Sequence, residues 1–509
     1  MYREIVEIIK QLRAVGSSND KKAILKLNEN NSEWKKFLFY VYAEVEKVYG
    51  KTKLPSIPII PSLNEKIYHD INELYNIMDL MADGDLSGKD ADAALVDLLI
   101  GADEDFVDLA GLILKRDIKA KVGTTMLNDV YGHGFINIPP YMRCEKEDAL
   151  EKRIKYPCFG QTKEDGLFLN VELYANDRNV TEVKITTRQG FELKPIPSLF
   201  QAIANTFGGL GTGLVLHGEA LILDVNGGYW PREKGNGLIN SYVQQESTRK
   251  KRLKDIDEAK SEKAKNKLRN ELAELETKWS YCANNIVYVT WDIVDRLAWK
   301  NLFYNFPYEK RLELLKSFIE GFRINSVSTM FTNRLQIVET VILNNEEEVA
   351  EYYASKLANK QEGIVVKNFD LIWEHDKTIL GMIKLKEFKE CDLVIVGWTA
   401  GKPNTQFELG VGSYLCESSC GKLVVNCSGL TMGQRGYERV DDNDSALGIK
   451  LIERFDPAIN LGKIAAIKFN YVISKKGSTT KSLNLPNIIE IRESFDKSVA
   501  ETLEEIEGK

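Results

Sequence analysis

Apolar residues recur every three or four positions from the N-terminus to about residue 143, which is the spacing of one buried helical face. The first such stripe ends at Gly16, a residue type that commonly stops a helix. The same spacing predicts further helices after Ser17, from Trp34 to Tyr49, from Glu65 to Met81 and from Ala91 to Leu114, with a linker at prolines 55, 58 and 61. The N-terminal region is therefore predicted to be all-α.

Apolar residues alternate with others after residue 155, as in strands, and this pattern is mixed with helical spacing up to about residue 388. Strands are predicted from Leu167 to Leu173, from Leu214 to Leu223 and from Ile286 to Val294, and helices from Ser198 to Phe207, from Tyr308 to Phe322 and from Asn345 to Lys360. This mixture predicts an α+β domain over residues 144–388.

Three stretches around the middle region depart from this pattern. Pro139-Pro140 and the charged run from Cys144 to Lys155 suggest a linker, and the stretch from Arg232 to Asn240 is polar and rich in turn-forming residues. Residues 246–278 are highly charged with leucines at helical spacing, which predicts one long helix or two antiparallel helices inserted in the domain. The basic start of this insertion, residues 249–252, is either a solvated face or a contact for DNA or protein.

Short apolar strands separated by glycine and asparagine dominate from Asp392 onward. Such a series suits a small closed barrel of the OB-fold type. The sequence therefore predicts three domains: an all-α domain at 1–143, an α+β domain at 144–388 and a β-barrel at 389–509.

The composition is that of a soluble globular protein, since 43% of the 509 residues are hydrophobic and 28% are charged. No apolar run reaches the roughly 18 residues of a membrane span, and the amphipathic N-terminus does not resemble a signal peptide, so we expect a cytoplasmic protein. Seven cysteines without a C-x-x-C pair and only four histidines argue against a zinc ribbon, a secreted disulfide scaffold and histidine-based catalysis. With a net charge of −7, any nucleic acid must be bound through local basic patches.

Lys163 is the first candidate for chemistry. An apolar run leads into it, Asp165-Gly166 then predicts a turn, and a strand follows. This places Lys163 on a tight turn at the edge of a sheet. A surface lysine before a hairpin turn is the alternative, because a K-x-D-G pattern alone recurs by chance.

Two further stretches carry candidate residues. Glu219 stands inside an apolar strand, where a carboxylate usually needs a partner or a metal. Gly123-Thr124-Thr125 would begin a helix whose free N–H groups can bind a phosphate, with Lys119 and Lys121 beside it. A plain helix cap is the alternative there.

The chemistry-bearing stretches occur as an ordered series: K-E-D-G at 163–166, T-R-Q-G at 187–190, H-G-E at 217–219, T-W-D at 290–292, E-G-I-V-V-K-N at 362–368, K-L-K at 384–386 and I-R-E…D-K from 491 to 497. This series resembles that of the ATP-dependent DNA ligases, in particular the T-even bacteriophage type. The likeness extends to the R-D…G-T-T…N segment at 116–128 and the E-S-x-C-G-K stretch at 417–422. It therefore covers most of the chain.

The resemblance implies an enzyme that uses ATP and Mg²⁺ to seal nicks in duplex DNA during replication, repair and recombination. It implies a helical DNA-binding domain, an adenylation (nucleotidyltransferase) domain and an OB-fold domain. Lys163 would attack ATP to form lysyl-AMP, and a DNA-adenylate would follow. Nicked duplex DNA is the expected partner of a monomer, with a replication protein as a possible contact of the 246–278 insertion.

The resemblance also implies roles for individual residues. Gln161 and the backbone of Thr162 would read the adenine edge, and Trp291 would stack on the base. Glu219 would bind ribose or position the metal, and Glu362 would help to hold Mg²⁺.

The remaining implied contacts are to sugar and phosphates. Arg188 would contact ribose and later the 5′-phosphate, and Lys384 and Lys386 would neutralise the α-phosphate. From the barrel, Arg492 and Lys497 would orient the pyrophosphate leaving group, and Asp392 would lie near the hinge between domains. The DNA backbone would be bound by Lys119, Lys121, Gly123, Thr124 and Thr125.

Several alternatives stay open. Trp291 could be plain core, and Lys367 could be a surface strand residue. The DNA ligases usually carry arginine where this chain has Phe168, a feature shared with some RNA ligases, and the last motif is two residues longer than usual. An ATP-dependent RNA ligase and a nucleic-acid-binding scaffold with a decayed site are therefore the competing functions.

Overall fold

The computed structural model divides into two compact units, Met1–Asn137 together with Phe388–Lys509, and Ile138–Glu387. It describes residues 2–58, 66–175, 181–193, 196–207, 213–325, 334–375, 378–402, 407–440, 449–474, 479–492 and 499–508. Of the sequence-based predictions, Pro61, Glu65 and the part of the last motif at 493–497, which includes Lys497, lie outside these ranges.

The N-terminal region is helical, as predicted. Its helices are α1 Tyr2–Ala14, α2 Ser18–Leu27, α3 Ser32–Tyr42, α4 Ile71–Asp83, α5 Gly88–Leu99, α6 Glu104–Lys115 and α7 Thr124–Tyr131. The apolar stripe of α1 is buried, and α4 begins with a capping box at Asp70 and ends at Gly84, whose φ of 84° is left-handed.

Three helix predictions in this region were wrong in extent. The helix predicted from Glu65 to Met81 begins only at Ile71, after its cap at Asp70. The stretch from Ala91 to Leu114 is broken into α5 and α6, because Gly101 adopts a φ of 71° and Ala102 bridges to Ile67. The helix predicted to run to Tyr49 ends at Tyr42, and Tyr49 instead donates its hydroxyl to the Tyr40 carbonyl at 2.8 Å.

The middle unit mixes strands and helices, as predicted. Its strands are β1 Arg143–Glu145, β2 Cys158–Thr162, β3 Leu167–Ala175, β4 Thr181–Thr187, β5 Leu214–Ile222, β6 Ile286–Asp295, β7 Phe303–Tyr304, β8 Leu335–Ile337, β9 Thr340–Leu343, β10 Gly363–Asn368, β11 Trp373–Glu374 and β12 Thr378–Lys386. Its helices are α8 Leu150–Arg153, α9 Pro197–Phe207, α10 Arg232–Val243, α11 Gln245–Glu258, α12 Glu262–Asn285, α13 Arg296–Lys300, α14 Tyr308–Asn325 and α15 Glu346–Ala358, with a 3₁₀ turn at Glu147–Ala149.

Two five-stranded sheets form the frame of this unit. One has the order β1-β12-β10-β2-β9 and the other the order β4-β3-β5-β6-β8. The chain crosses from the first sheet to the second directly after β2, so the β2–β3 connection joins the two. A large core packs the second sheet against α9, α12 and α14.

Two stretches expected to be irregular are ordered. The stretch from Arg232 to Asn240 belongs to α10, because Leu238, Ile239 and Tyr242 bury one face of it in the core despite its glycines. The predicted linker from Cys144 to Lys155 contributes β1, which pairs in parallel with β12, and packs Leu150 and Ile154 into a core cluster. In both stretches tertiary burial outweighs local composition.

The charged insertion consists of two helices, α11 and α12, which settles the alternative left open by its spacing. Arg249 pairs with Glu276 at 2.9 Å and Arg252 with Glu271 at 3.3 Å across the helix pair. Exposed pairs of this kind contribute little stability, about 0–1 kcal/mol each. They do turn two of the four basic residues at 249–252 toward α12.

The C-terminal region is rich in short strands, as predicted: β13 Lys389–Ala400, β14 Val411–Glu417, β15 Val424–Cys427, β16 Tyr437–Arg439, β17 Ile449–Leu451, β18 Ile464–Phe469, β19 Val472–Ser474, β20 Lys481–Leu483 and β21 Asn487–Ile491, followed by α16 Leu503–Glu507. The 3₁₀ turns are at Gly433–Arg435 and Pro457–Asn460. One sheet has the order β15-β14-β13-β18-β21, and a bridge between Ser428 and Asn487 connects its two outer strands.

None of the helices in the described ranges is long and apolar enough to cross a membrane.

Candidate active site

Lys163 lies on the connection between β2 and β3, as the sequence predicted. Its backbone N–H donates to the Gly363 carbonyl at 2.9 Å, which ties the turn to β10. A Cβ at Gly166 would stand 2.5 Å from the Ala220 carbonyl oxygen, so the turn requires glycine there. The Gly166 N–H donates to the Glu219 carboxylate at 2.6 Å and so holds the other end of the turn against β5.

The ammonium group of Lys163 forms an ion pair with Glu362, and both side chains are about 22% exposed. Burial lowers the pKa of Lys163, but the charges of Glu362 and Glu219 and the hydrogen bond to Glu362 outweigh it, so the pKa stands above the ordinary lysine value. Only a neutral amine can act as a nucleophile. Without a ligand the site therefore holds Lys163 in its protonated, unreactive form.

Two carboxylates near Lys163 have elevated pKa values. Burial raises the pKa of Glu219 to about 7, against the opposing effects of Lys163 and the Gly166 hydrogen bond. Burial and the charge of Glu219 raise the pKa of Glu164 to about 7 as well. Excess buried negative charge of this kind favours a bound cation.

The sheet register places the two predicted lysines of β12 opposite residues of β10. Val365 of β10 pairs with Gln161 on one side and with Lys384 on the other, and Gly363 pairs with Lys386. Burial, Lys163 and Lys384 lower the pKa of Lys386, although Glu362 opposes them. Lys384 and Lys386 therefore lie on one face of β12, on the side of the sheet that carries Gln161.

A cavity opens between the two sheets, with about 820 Å³ of empty space that includes its opening to solvent. Its lining includes Lys163, Thr162, Phe168, Glu219, Trp291 and Val365. Trp291 is only partly buried and faces this cavity, so it is not plain core. The ring of Phe168 lies 5.9 Å from that of Trp291, in the place where the related motif has arginine. The aromatic side chains of this cavity suit a nucleobase, and the charged groups that line it suit a sugar and phosphates.

Arg188 also lines the cavity, and its guanidinium lies over the Tyr141 ring at 4.1 Å. It is exposed, so it can reach a sugar or a phosphate. Arg492 belongs to the other compact unit, where it pairs with Asp392 at 2.9 Å and with Glu490 at 3.4 Å.

Two cavity residues were missed or misjudged. Lys367 is no surface residue: it is 2% exposed, and burial lowers its pKa to about 8, although Asp292 opposes this. His217, which the sequence offered only as part of H-G-E, is 4% exposed, and its Nε2 has no partner among the described residues. Burial lowers the pKa of His217 to about 4, so the ring is neutral at physiological pH.

A buried ion pair supports this side of the cavity. The Arg311 side chain, 0% exposed, donates to both carboxylate oxygens of Asp292 at 2.7 and 3.1 Å. Asp292 stands one position after Trp291 and lines the same cavity. Asp292 appeared in the sequence only as the last residue of T-W-D, and Arg311 was not identified, because nothing local in that stretch signals a partner in α14.

The carboxylates near Lys163 determine whether the site can hold a metal ion. The described residues contain no group of three or more His, Cys, Asp or Glu side chains suited to hold an ion alone. Glu219 and Glu362 both act on Lys163, so their carboxylates lie near one another. Two carboxylates completed by phosphate oxygens and water are an ordinary Mg²⁺ environment, and the site fits the ion in that form.

The predicted phosphate-binding segment has the expected local form. Helix α7 begins at Thr124, and Gly123 before it makes no side-chain cap, so the first N–H groups of the helix are available. Lys119 and Lys121 both adopt left-handed φ angles, 55° and 52°. Lys21, which the sequence did not single out, is 4% exposed, and burial together with the nearby charge of Lys121 lowers its pKa.

The chain is similar to known proteins of one family. Residues 142–386 match the family model described as ATP dependent DNA ligase domain. The DNA ligase of enterobacteria phage T6 is 25% identical over 518 residues and that of enterobacteria phage T4 over 523, in each case covering 99% of this chain and 98% of the relative. A solved structure named Pmar-Lig_Pre has the same fold, with a TM-score of 0.67 and 16% identity over 96% of this chain and 98% of its own.

The ion pair at Lys163 gives a direct prediction. In nucleotide-free protein with a chelator present, Glu362→Gln should lower the pKa of Lys163, because burial then acts with less opposing negative charge. Competitive labelling by an amine reagent, mapped by mass spectrometry across a pH series, should show Lys163 becoming reactive at lower pH than in the wild type. Glu164→Gln is the matched control and should move the profile less. An unchanged profile in Glu362→Gln would contradict the assigned pairing.

Proposed function

We propose that this chain, which belongs to the ATP-dependent DNA ligases, joins the 5′-phosphate and 3′-hydroxyl of a nick in duplex DNA through Lys163. The observation that carries this assignment is Lys163 on the β2–β3 turn, paired with Glu362, at a cavity that Trp291 lines. ATP and Mg²⁺ are the cofactors. Replication, repair and recombination are the processes that need such an enzyme.

In the first step, transfer of AMP to Lys163, the Lys163 ammonium must lose its proton and its ion pair with Glu362. Binding of a metal and phosphates at Glu219 and Glu362 would withdraw the negative charge that holds the proton on Lys163. The neutral Nζ then attacks the α-phosphorus of ATP, a P–N bond forms, and pyrophosphate leaves with the electrons of the broken P–O bond. Lys384 and Lys386 would stabilise the charge on the phosphate oxygens.

Two further displacements complete the reaction. An oxygen of the DNA 5′-phosphate attacks the AMP phosphorus, and Lys163 leaves as its amine. The 3′-hydroxyl then attacks the activated 5′-phosphorus, and AMP leaves as the phosphodiester forms. Mg²⁺ held by Glu219 and Glu362 would supply positive charge at the reacting phosphates.

The proposed binding of ATP in this cavity assigns further residues to the base, the sugar and pyrophosphate. Gln161 and the Thr162 backbone would bind the base that stacks on Trp291, and Arg188 would contact ribose and later the 5′-phosphate. Arg492 and Lys497 would orient pyrophosphate when the barrel closes over ATP, with Asp392 near the hinge.

The proposed domains are a helical DNA-binding domain at 1–143, an adenylation domain at 144–388 and an OB-fold domain at 389–509. The closed order of strands β13–β21 supports the last assignment. The protein would act as a monomer in the cytoplasm, that of the host cell if a phage encodes it. A replication protein would bind the 246–278 insertion through lysines outside its internal ion pairs.

The choice of nucleic acid is tested by a direct comparison. The enzyme should seal an all-DNA nick in duplex much faster than it joins single-stranded RNA ends, with label followed from ATP to the nucleic acid in both. Preference for the RNA would replace the proposal by the RNA-ligase alternative and would make Phe168 the residue that indicated it.

The role of Lys163 separates the steps. Lys163→Ala should abolish labelling of the protein by α-labelled ATP yet still seal a nick that already carries AMP, because that last step uses no lysyl bond. The matched control is Lys155→Ala, an exposed lysine of the same region that pairs with Asp370. Label retained by Lys163→Ala would place the nucleophile elsewhere.

The N-terminal cluster makes a prediction about salt. Lys119→Ala with Lys121→Ala should weaken binding to nicked duplex and make the slope of log K against log[salt] shallower by about one to two, since each lost phosphate contact accounts for roughly 0.9. Adenylation of Lys163 should persist. Lys22→Ala, which removes an ion pair to Asp129, is the control. Unchanged affinity and slope in the double variant would exclude this segment from the DNA contact.

A further inference from the structure

The side-chain amide of Gln161 is held by two hydroxyl groups. Gln161 is 2% exposed and lies on β2, two positions before Lys163. Its Nε2 donates to the Tyr308 hydroxyl at 2.7 Å and to the Thr340 hydroxyl at 2.9 Å. An amide can usually turn over at little cost, which exchanges its NH₂ and its oxygen.

Here the two hydroxyls allow one orientation. Tyr308 donates its only proton to the Trp291 carbonyl at 2.6 Å, and Thr340 donates its only proton to the Val338 carbonyl at 3.0 Å. Both hydroxyl oxygens can then only accept, so the group that faces them must be the NH₂ of Gln161. With the amide reversed, the Gln161 oxygen would face two hydroxyl oxygens with no proton between them. The only alternative is that the hydroxyls lose their hydrogen bonds to the Trp291 and Val338 carbonyls.

Lys367 strengthens this constraint. Its ammonium donates to the Tyr308 hydroxyl at 3.1 Å and is buried with it. An ammonium has only donors, so the Tyr308 oxygen cannot direct its proton toward Lys367. With the Lys367 and Gln161 donors, both lone pairs of Tyr308 are occupied and its proton is committed to Trp291.

The consequence lies on the cavity side of the amide. Gln161 lines the cavity, and its Oε1 has no hydrogen-bond partner among the described residues. Oε1 is also not sealed off from solvent. A permanent acceptor therefore faces the space beside Trp291.

We propose that Tyr308 and Thr340, supported by Lys367, are positioning residues that lock Gln161 with its oxygen toward the nucleotide, so that the site selects 6-aminopurine over 6-oxopurine nucleoside triphosphates. The inference rests on the proposed function, in which this cavity binds the nucleotide. An exocyclic amine donates to the Gln161 oxygen. A 6-oxo group would place its oxygen next to the Gln161 oxygen, and two acceptors repel one another. The amide is locked and cannot turn to present its NH₂ instead.

The test uses inosine triphosphate, because it differs from ATP only at the 6-position and the adjoining ring nitrogen. Wild-type protein should take label from α-labelled ATP with a much higher kcat/KM than from the inosine nucleotide. Tyr308→Phe combined with Thr340→Val should reduce that ratio by about tenfold or more, because the released amide could then turn its NH₂ toward a 6-oxo group. Thr340→Val alone, which keeps the core tyrosine, should reduce the ratio less.

Two further variants separate selection from general damage. Tyr352→Phe removes a hydroxyl that contacts Thr162 but not the Gln161 amide, and it should leave the ratio unchanged. Gln161→Glu in the Tyr308→Phe, Thr340→Val background should restore much of the ratio, because a carboxylate presents an acceptor in either orientation. A ratio unchanged in the double variant, or a wild type that does not distinguish the two nucleotides, would overturn the proposal. Failure of wild type to take label from any nucleotide would instead refute the proposed function, and this inference with it.

Discussion

The charge balance around the β2–β3 turn is the constraint on which the site depends. Glu362 neutralises Lys163, and Glu219 holds the turn through the Gly166 N–H. Each carboxylate belongs to a different sheet, since Glu362 immediately precedes β10 and Glu219 lies in β5. The turn that carries the nucleophile is thereby anchored to both walls of the cavity, and the nucleophile is kept protonated until a ligand changes the local charge.

The cavity is bordered by charges that are almost fully buried. Arg311 pairs with Asp292, which follows Trp291 in the chain, and Lys367 is no more than 2% exposed. Charges of this kind are costly to bury and are tolerated only when their hydrogen bonds are complete. The Tyr308 hydroxyl accepts from both Lys367 and Gln161, so it links a buried charge to the amide that lines the cavity.

The sequence predicted those parts of the site whose signals are local. Lys163, Gly166 and the following strand are contiguous, so about ten residues of sequence are enough to predict the turn. Glu219 was recognisable because a carboxylate inside an apolar strand is anomalous. The helix that begins at Thr124 was predicted from the adjacent residues Gly123, Thr124 and Thr125.

What the sequence could not provide are partners that meet only in the fold. Tyr308 and Thr340 stand 147 and 179 positions from Gln161, and neither carries any sign of that contact. The H-G-E stretch contained His217, but its burial and the unpartnered Nε2 depend on neighbours that only the fold supplies. Helix α10 was missed because its glycines favour a turn, whereas burial of Leu238 and Tyr242 against the core selects the helix.

We propose that the cavity between the two sheets binds ATP and that AMP is transferred to Lys163. Incubating the full chain with ATP and Mg²⁺, digesting it under conditions that preserve a phosphoramidate bond, and locating AMP by tandem mass spectrometry would test this. We expect AMP on the peptide that contains residues 158–166, attached at Lys163. AMP on another lysine, or protein that stays unmodified while nicks are sealed, would contradict it.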